Sequence, residues 1–341
     1  MDILQKIVES TKARVEREKA KIAFNAMRKK AENLYKIQVE SNGDSGAKSS
    51  AKQTSDSSAK SSTKQTSDLR AKSSSDSPTK SPFVKPPFAF EKALDSAKKS
   101  VDLAQDSAKN HTDSAQDSSD LIPPMHFICE VKKASPSKGI IAQDFPYLQI
   151  ALDYERAGAD CISCLTEPEF FCGADAYLSK IAKRVKTPIL RKDFIIDSYM
   201  IYQAKVLGAD CVLLISEILE VGEMKEFCDI AHSLGLSVLV ESHSECALQN
   251  ALQTNARLIG VNNRDLRDFK VDLQTSVRLK KLVPSNKIFV SESGITTHSD
   301  IAFLQSNGIN AVLIGETLMR KKDKTKALNA LKGVGESIKK C

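Results

Sequence analysis

Residues 198–215, SYMIYQAKVLGADCVLLI, contain the structural unit that decides the fold. An amphipathic stretch ends at Gly208, and an apolar run of mostly aliphatic residues follows at 211–215. Glycine is a common helix end because it adopts the left-handed backbone conformation without a steric penalty. This stretch therefore predicts a helix that is followed directly by a buried strand.

The same unit recurs through the chain from Met125 onward. AGAD at 157–160 and NGIN at 307–310 each place a glycine shortly before another apolar run. The predicted strands are 127–132, 160–165, 188–191, 211–215, 237–241, 258–262, 287–292 and 311–315. Strands that alternate with helices pair in parallel, and eight units in about 215 residues are typical of a (β/α)8 barrel. Residues 123–341 are therefore predicted to form an α/β catalytic domain of the TIM-barrel type, with a doubly wound open sheet as the alternative.

Residues 41–122 differ in composition from the rest of the chain. AKSSAKQTSD at 47–56 recurs as AKSSTKQTSD at 59–68. A segment so rich in Ser, Lys and Asp cannot bury enough apolar surface to offset the entropy lost on ordering, so we expect a mostly disordered low-complexity insertion. FVKPPFAFEKAL at 83–94 is the exception and predicts a short Phe-rich docking helix near 83–96.

The charge and hydropathy pattern of the chain excludes several classes of partner. The net charge of +7 is spread over 341 residues that include 43 acidic ones, without a basic stripe, so we expect no nucleic-acid partner. The longest apolar runs are far shorter than the roughly 20 residues that cross a bilayer, so we expect no membrane partner. Residues 1–40 are amphipathic and charged, without an apolar signal core, which predicts an N-terminal helical extension and a cytoplasmic protein.

Eight cysteines occur in the chain, and we expect them to be reduced. Cys161 and Cys164 have the C-x-x-C spacing of some metal and redox sites. They fall within one predicted strand, where residues three apart point to opposite faces. We therefore interpret them as small core residues.

Polar side chains stand at the carboxyl ends of five predicted strands, where barrels of this type build their active sites. In ICEVKKASPSKGI, 128–140, a buried strand carries charges that are costly unless they pair or face a cavity. Glu130 and Lys132 alternate with Val131, so both are predicted to face the mouth of the barrel. The other strand-end candidates are Lys192, Glu241, Asn262, Arg264 and Glu292.

Two glycine-containing turns predict an anion site. SESGI at 291–295 and IGETLM at 314–319 follow the last two predicted strands. Backbone N–H groups at such turns bind phosphate, and barrels commonly hold a phosphate at these two loops. The candidate phosphate-binding residues are Ser135 from the first loop, Ser293, Gly294, Gly315 and Glu316.

These segments together resemble the indole-3-glycerol-phosphate synthase family. The matching motifs follow the family order over residues 125–320, with a weaker match at the first helix and at FAFEKAL. They are EVKKASPSKG, LTEPEFFCG, ILRKDFIID, GADCVLLI, VLVESH, IGVNNRDL, VSESGI and VLIGETLM. The long insertion departs from the family pattern and leaves the placement of the N-terminal helices open.

The resemblance implies a reaction and a set of roles. The reaction closes 1-(2-carboxyphenylamino)-1-deoxy-D-ribulose 5-phosphate to indole-3-glycerol phosphate in tryptophan biosynthesis, with loss of carbon dioxide and water. It implies neither a metal nor an organic cofactor, and we expect a monomer that takes a phosphorylated small molecule. Lys192 matches the general acid, Glu241 matches the general base, and Lys132 matches a group that holds the substrate carboxylate and donates a second proton.

The remaining matched residues are implied to support these three. Glu130 and Glu292 keep the lysines charged and oriented, while Asn262 and Arg264 orient the substrate. Ser135, Gly294 and Gly315 take the phosphate. Which lysine acts at which step is left open by the sequence.

Two other functions fit the same residues. One is a phosphosugar isomerase or aldolase that uses Lys192 or Lys132 as a Schiff-base nucleophile. The other is an inactive barrel that the repeats tether to an acidic partner. Trapping with borohydride distinguishes the first, because the synthase reaction forms no covalent adduct.

Overall fold

The structure is a computed structural model of the 341-residue chain and describes residues 3–47, 84–95, 124–265 and 269–334. The Ser/Lys/Asp repeats lie outside the described residues. The disorder expected for that segment therefore remains a prediction. The domain boundaries proposed at residues 40 and 122 remain predictions.

Ten strands are described, and eight of them close into a parallel barrel. In chain order the strands are β1 (His126–Val131), β2 (Ala134–Ser135), β3 (Gly139–Ile140), β4 (Cys161–Leu165), β5 (Ile189–Lys192), β6 (Cys211–Ile215), β7 (Ser237–Ser242), β8 (Leu258–Asn262), β9 (Ile288–Glu292) and β10 (Ala311–Ile314). The barrel order is β1-β10-β9-β8-β7-β6-β5-β4, and β1 pairs with both β10 and β4. The predicted (β/α)8 barrel is confirmed, and the open-sheet alternative is wrong.

Helices follow the barrel strands and cover the outside of the barrel. In chain order the described helices are α1 (Ile3–Lys21), α2 (Phe24–Ala47), α3 (Ala89–Ala93), α4 (Tyr147–Arg156), α5 (Asp175–Ala182), α6 (Ser198–Leu207), α7 (Val221–Ser233), α8 (Glu245–Ala251), α9 (Gln274–Lys280), α10 (His298–Ser306), α11 (Glu316–Met319) and α12 (Lys324–Leu331). The unit at 198–215 forms as expected, because Asp197 caps the start of α6 and Gly208 ends it with φ of 92°.

Each barrel strand lies within one residue of its predicted bounds, and the first loop holds the main difference. Strands β2 and β3 pair there as a small antiparallel hairpin that the sequence analysis did not predict. Each contributes only two residues, which is too short to show a strand periodicity.

The core has two layers, one inside the barrel and one between the strands and the helices. Cys161 belongs to the inner layer, whereas Cys164 packs in the outer layer. The two thiols therefore point to opposite faces of β4, as predicted. All cysteines in the described part of the chain are free.

The N-terminal helices run along the outside of the barrel from its mouth to its opposite end. Helix α1 begins at the mouth, where Ile3 and Ile7 line the cavity, and Lys19 near its end forms an ion pair with Asp197 at 2.7 Å. Helix α2 packs along α6. Near its far end, Gln38 Nε2 donates a hydrogen bond to the carbonyl oxygen of Lys85 at 2.6 Å. Both N-terminal helices are therefore placed against the barrel, which the sequence had left open. No described helix is both long and apolar enough to cross a membrane.

Helix α3 closes the end of the barrel opposite the mouth. Phe90 and Leu94 are fully buried in the inner layer of the core. The backbone N–H of Phe88 donates to the carbonyl oxygen of Gly235 at 2.9 Å, just before β7 begins. Lys85 forms a buried ion pair with Asp210 at 2.7 Å. The segment 84–95 is therefore anchored at the amino ends of the strands.

We expect deletion of residues 50–78 to leave kcat/KM within about threefold, because lengthening a connection costs only about 0.6 kcal/mol per doubling. Asn42 near the end of α2 contacts the carbonyl oxygen of Lys85, next to Val84, at the end of the barrel opposite the mouth. Steady-state kinetics and thermal melting test this. Phe90→Ala is the contrasting variant and should cost about 3–5 kcal/mol of stability because it empties a buried aromatic site. A folded deletion variant without activity would show that the repeats take part in function.

Candidate active site

A cavity of about 670 Å³ opens at the carboxyl ends of the barrel strands. All candidate residues named from the sequence line it. They are Glu130, Lys132, Ser135, Lys192, Glu241, Asn262, Arg264, Glu292, Ser293, Gly294, Gly315 and Glu316. Parallel strands bring their carboxyl ends to one edge, which is why residues so distant in sequence meet.

Lys192 is at the centre of the charged cluster. Its Nζ lies 2.6 Å from Glu241 Oε2 and 3.3 Å from Glu292 Oε2. Burial by itself lowers the pKa of Lys192, but the surrounding carboxylates, above all Glu241, raise it well above the ordinary value of a lysine. Lys192 is therefore an ammonium group at neutral pH.

The two carboxylates that share this ammonium have different pKa values. Burial alone raises the pKa of Glu241, but Lys192 and its other polar partners lower it to about 2. Burial and the charge of Glu241 raise the pKa of Glu292 to about 8. Glu241 is thus ionised at neutral pH while Glu292 is largely protonated, since like charges this close do not ionise together.

Glu292 packs tightly against the neighbouring strand. A Cβ atom at Gly260 on β8 would lie 2.5 Å from Glu292 Oε1, so a larger residue there would displace the carboxyl group. Oε1 itself is buried and accepts or donates no hydrogen bond among the described residues. It is therefore available to a bound molecule.

Lys132 and Glu130 form a second ion pair on β1 and its end. Their side chains fill the space above Gly315, where a Cβ atom would overlap Glu130 Oε2 and crowd Lys132 Nζ. Both side chains face the mouth, as the alternation with Val131 predicted. A larger residue after β10 would displace the ends of both side chains of this pair.

Asn262 links the cluster to the loop after β8. Its Nδ2 donates to Glu241 Oε1 at 3.0 Å, and its Oδ1 accepts the backbone N–H of Arg264 at 3.0 Å. The Arg264 guanidinium is held at the cavity wall by the carbonyl oxygen of Phe269 at 3.1 Å. The amide orientation is therefore fixed from both sides.

The loop after β9 has an unusual backbone. Ser293 and Gly294 have φ of 68° and 82°, so two consecutive residues are left-handed. A side chain at Gly294 would also collide with Val271, which leaves glycine as the residue that fits. Such turns direct backbone N–H groups into a concave surface that suits an anion.

Gly315 and Glu316 begin the last short helix beside this turn. The N–H groups of a first helical turn have no acceptor within their own helix. The carboxylate of Glu316 is bound by Arg320 at 2.9 Å. Any contribution of Glu316 to an anion site therefore comes from its backbone, because its carboxylate repels an anion.

An ion pair that the sequence analysis missed ties the N-terminal extension to the site. Arg14 on α1 contacts both oxygens of Asp193, at 2.7 and 3.0 Å. Asp193 follows Lys192 directly and is fully buried, and burial raises its pKa less than Arg14 and Arg191 lower it. Helix α1 is therefore tied to the end of the strand that carries Lys192.

We expect Arg14→Met to lower the free energy of unfolding by about 2–3 kcal/mol, because a buried carboxylate loses its bidentate partner. Turnover should fall several-fold as the end of β5 loosens. Lys12→Met is the control, because Lys12 and its partner Glu9 are both more than half exposed and such pairs contribute about 0–1 kcal/mol. Urea unfolding and kinetics measure both. Equal stability of the two variants would contradict the expectation.

His243 and Glu217 also belong to the cluster and were not predicted. His243 Nε2 lies 3.0 Å from Glu241 Oε1, and Glu217 lies beside the His243 ring. The signal was present in the sequence, because His243 is two residues after Glu241 and residues at that spacing share a face of a strand. The described residues contain no group of three or more His, Cys, Asp or Glu side chains that is arranged to hold a metal.

Fold and cavity together define a (β/α)8-barrel enzyme equipped for acid–base chemistry. The family model described as indole-3-glycerol phosphate synthase matches residues 89–331. That match covers more than half of the chain, so the chain belongs to the indole-3-glycerol phosphate synthase family. Members of this family are carboxy-lyases of tryptophan biosynthesis that act on a phosphorylated small molecule, and the expected resemblance is confirmed.

Individual relatives agree with the family model. Proteins named indole-3-glycerol phosphate synthase are 50% identical over 249 residues in Ruminiclostridium cellulolyticum (73% of this chain, 86% of the relative) and 56% identical over 208 residues in Endomicrobium trichonymphae (61% and 81%). The protein of that name from Legionella pneumophila strain Paris is 52% identical over 204 residues (60% and 79%).

Solved barrels are similar at lower identity. A chain from a structure of the tryptophan synthase complex of Pyrococcus furiosus matches with a TM-score of 0.46 and 16% identity, over 61% of this chain and 98% of that one. A chain of 3-hexulose-6-phosphate synthase matches with a TM-score of 0.49 and 14% identity, over 61% and 99%.

Proposed function

We propose that Lys192 is the general acid and Glu241 the general base in the closure of 1-(2-carboxyphenylamino)-1-deoxy-D-ribulose 5-phosphate to indole-3-glycerol phosphate. The observation that carries this proposal is the 2.6 Å contact between Lys192 Nζ and Glu241 Oε2 in a buried site. The contact keeps the acid protonated and the base ionised before the substrate enters. Each group thus begins in the state that its role requires.

Ring closure begins with the substrate ketone. The Lys192 ammonium donates a proton to the ketone oxygen, which makes the carbonyl carbon electrophilic toward the aromatic carbon that bears the carboxylate. The new carbon–carbon bond forms, and loss of carbon dioxide restores the aromatic ring. Charge develops on the ketone oxygen beside the largely buried Lys192 ammonium, where a positioned cation stabilises it more than water does.

Dehydration then completes the indole. The hydroxyl group formed from the ketone leaves as water after it accepts a second proton, and Glu241 removes a proton from the adjacent ring carbon. Because Glu241 and Lys192 are in contact, the base returns its proton directly to the acid. The carboxylate leaves as carbon dioxide, so one further proton enters from solvent in each turnover.

Lys132 supplies a second positive charge at the mouth. We assign it to the substrate carboxylate and to the second proton transfer, with Glu130 holding its ammonium in place. Protonated Glu292 positions Lys192 and offers its unpaired Oε1 to the substrate. This differs from the role expected from the sequence, where Glu292 was a charged partner of the lysines.

The rest of the cavity holds the substrate. Arg264 and Asn262 orient its polar groups. The phosphate is assigned to the turn after β9 and the start of α11, with a hydroxyl from the first loop. These residues are Ser135, Ser293, Gly294, Gly315 and Glu316.

Incubation of the purified protein with the aminodeoxyribulose phosphate tests the proposed chemistry. Indole fluorescence should appear with release of one carbon dioxide per product, and borohydride should trap no adduct. A Schiff-base mechanism needs a neutral amine. The raised pKa of Lys192 disfavours that alternative. A borohydride-stable adduct at Lys192 or Lys132 would contradict the assignment.

We further propose that the protein acts as a monomer in the cytoplasm. Every group assigned above comes from one chain, and the described cysteines are free thiols, as is usual in a reducing compartment. Light scattering coupled to size exclusion tests the oligomeric state, and a dimer at assay concentration would contradict it.

A further inference from the structure

Three cationic side chains from different parts of the chain surround the carboxylate of Glu316 at the edge of the cavity. Arg320 Nε donates a hydrogen bond to Glu316 Oε1 at 2.9 Å. Lys138 Nζ lies 3.9 Å from the same oxygen, and Arg264 Nη2 lies 4.0 Å from Oε2. All four residues line the cavity. Three positive charges therefore share one negative charge.

The three contacts with Glu316 differ in strength. Arg320 is within hydrogen-bonding distance, whereas Lys138 and Arg264 are too far away for a hydrogen bond and are held by charge alone. The side chain of Lys138 is 43% exposed and that of Glu316 is 28% exposed. Ion pairs between partly exposed groups are weak. Lys138 can therefore exchange Glu316 for a stronger anion.

The backbone that carries Lys138 is fixed, although its side chain has room to move. The backbone N–H of Lys138 donates to the carbonyl oxygen of Ser135 at 3.2 Å, and Ser135 pairs with Gly139 across the hairpin of β2 and β3. The ammonium is carried on a flexible four-carbon stem. It can thus leave Glu316 without any movement of the first loop.

The cationic group adjoins the turn to which the phosphate is assigned. Thr317, the residue after Glu316, donates its hydroxyl to the carbonyl oxygen of Ile295 at 2.7 Å. Ile295 directly follows Gly294, so this bond joins the two loops. A phosphate group carries a charge of about −1.5 to −2 at pH 7. That charge balances the excess positive charge around Glu316.

We propose that Lys138 is a phosphate-binding residue and that Glu316 is the counterion it leaves when the substrate phosphate enters. This inference rests on the proposed function, which assigns the phosphate to the turn after β9. The phosphate brings more charge and more acceptor oxygens than a carboxylate, so it wins the competition for the ammonium. Before binding, Glu316 keeps the ammonium at the edge of the cavity. Its charge also opposes the phosphate, which favours release of the phosphorylated product.

Replacement of Lys138 by methionine tests the binding role. We expect Lys138→Met to raise KM about fivefold or more and to leave kcat within about twofold, because the contact is the same in the ground state and the transition state. The inhibition constant of inorganic phosphate, used as a competitive inhibitor, should rise by a similar factor. Both differences should shrink at high salt, since exposed charges are screened.

Lys133→Met is the matched control on the same loop. Lys133 is five residues before Lys138 and does not line the cavity. We expect its KM, kcat and phosphate inhibition to match those of the unaltered protein. If Lys138→Met leaves KM and phosphate inhibition within twofold, or lowers kcat more than it raises KM, the inference is overturned.

A second probe distinguishes the two anionic ends of the substrate. 2-Aminobenzoate carries the carboxylate without the phosphate, so its inhibition should be the same in Lys138→Met and in the unaltered protein. A larger effect on 2-aminobenzoate than on phosphate would place Lys138 at the substrate carboxylate and overturn the inference.

Replacement of Glu316 by glutamine tests the counterion role. Glu316→Gln keeps the backbone and removes the competing charge, so the inhibition constant of phosphate should fall roughly threefold. Weaker phosphate binding in this variant overturns the exchange. The proposed function is judged separately on the unaltered protein. If that protein forms no indole-3-glycerol phosphate, the proposed function fails, whereas competitive phosphate inhibition that is unaffected by Lys138→Met contradicts this inference alone.

Discussion

Lys192→Ala should lower kcat by at least about a hundredfold, which is within the usual range for loss of a general acid. The expected loss follows from geometry, because among the described residues Lys192 is the cation in contact with both Glu241 and Glu292. A water molecule in place of the Lys192 ammonium is a weaker acid, and it is not held in the same position. Stopped assays of indole-3-glycerol phosphate formation at saturating substrate measure the effect.

The barrel should remain folded without this lysine. Removing the ammonium leaves the carboxyl groups of Glu241 and Glu292 next to each other. Because the pKa of Glu292 is raised to about 8, its carboxyl group carries a proton at neutral pH and the two groups repel each other little. Lys225→Ala, on the exposed face of α7, is the control and should behave as the unaltered protein. A folded Lys192→Ala protein with near-normal turnover would exclude Lys192 as the acid.

Glu241→Gln should also slow turnover by about a hundredfold or more while KM changes little, because the amide keeps the shape and cannot accept the proton. Glu241 Oε2 accepts a hydrogen bond from Lys192, and Oε1 accepts one from Asn262. An amide has one acceptor oxygen, so its NH2 group must face at least one of these donors. We therefore expect a small decrease in melting temperature as well.

Glu245→Gln provides the matched control on the same segment of chain. Glu245 is exposed in the first turn of α8, four residues beyond the proposed base. Initial rates across a substrate range separate kcat from KM. If Glu241→Gln raises KM strongly but leaves kcat unchanged, Glu241 is a binding residue. Another group would then be the base.

The sequence predicted the barrel and its mouth because both depend on local patterns. A glycine before several of the apolar runs marks a helix end, as at Gly208, and alternation along β1 directs Glu130 and Lys132 inward. Those signals are read within a few residues and do not need the tertiary structure. Strand positions therefore agreed with prediction to within one residue.

The missed features depend on tertiary contacts. Arg14 and Asp193 are 179 residues apart, and nothing near either residue indicates the pair. The protonation of Glu292 follows from its burial beside Glu241, which no spacing shows. His243 shares a strand face with Glu241, but a lone histidine at that spacing is equally consistent with a packed core residue.

The ion pair between α1 and the end of β5 also constrains the order of events during synthesis. Arg14 leaves the ribosome 179 residues before Asp193, so α1 cannot form this ion pair until three of the eight barrel strands have been made. Contacts between such distant residues form late because the intervening chain must close first. Helix α1 is charged and amphipathic, so it remains hydrated until it docks. It is therefore synthesised early and docks late, when the strand that carries Lys192 has already formed.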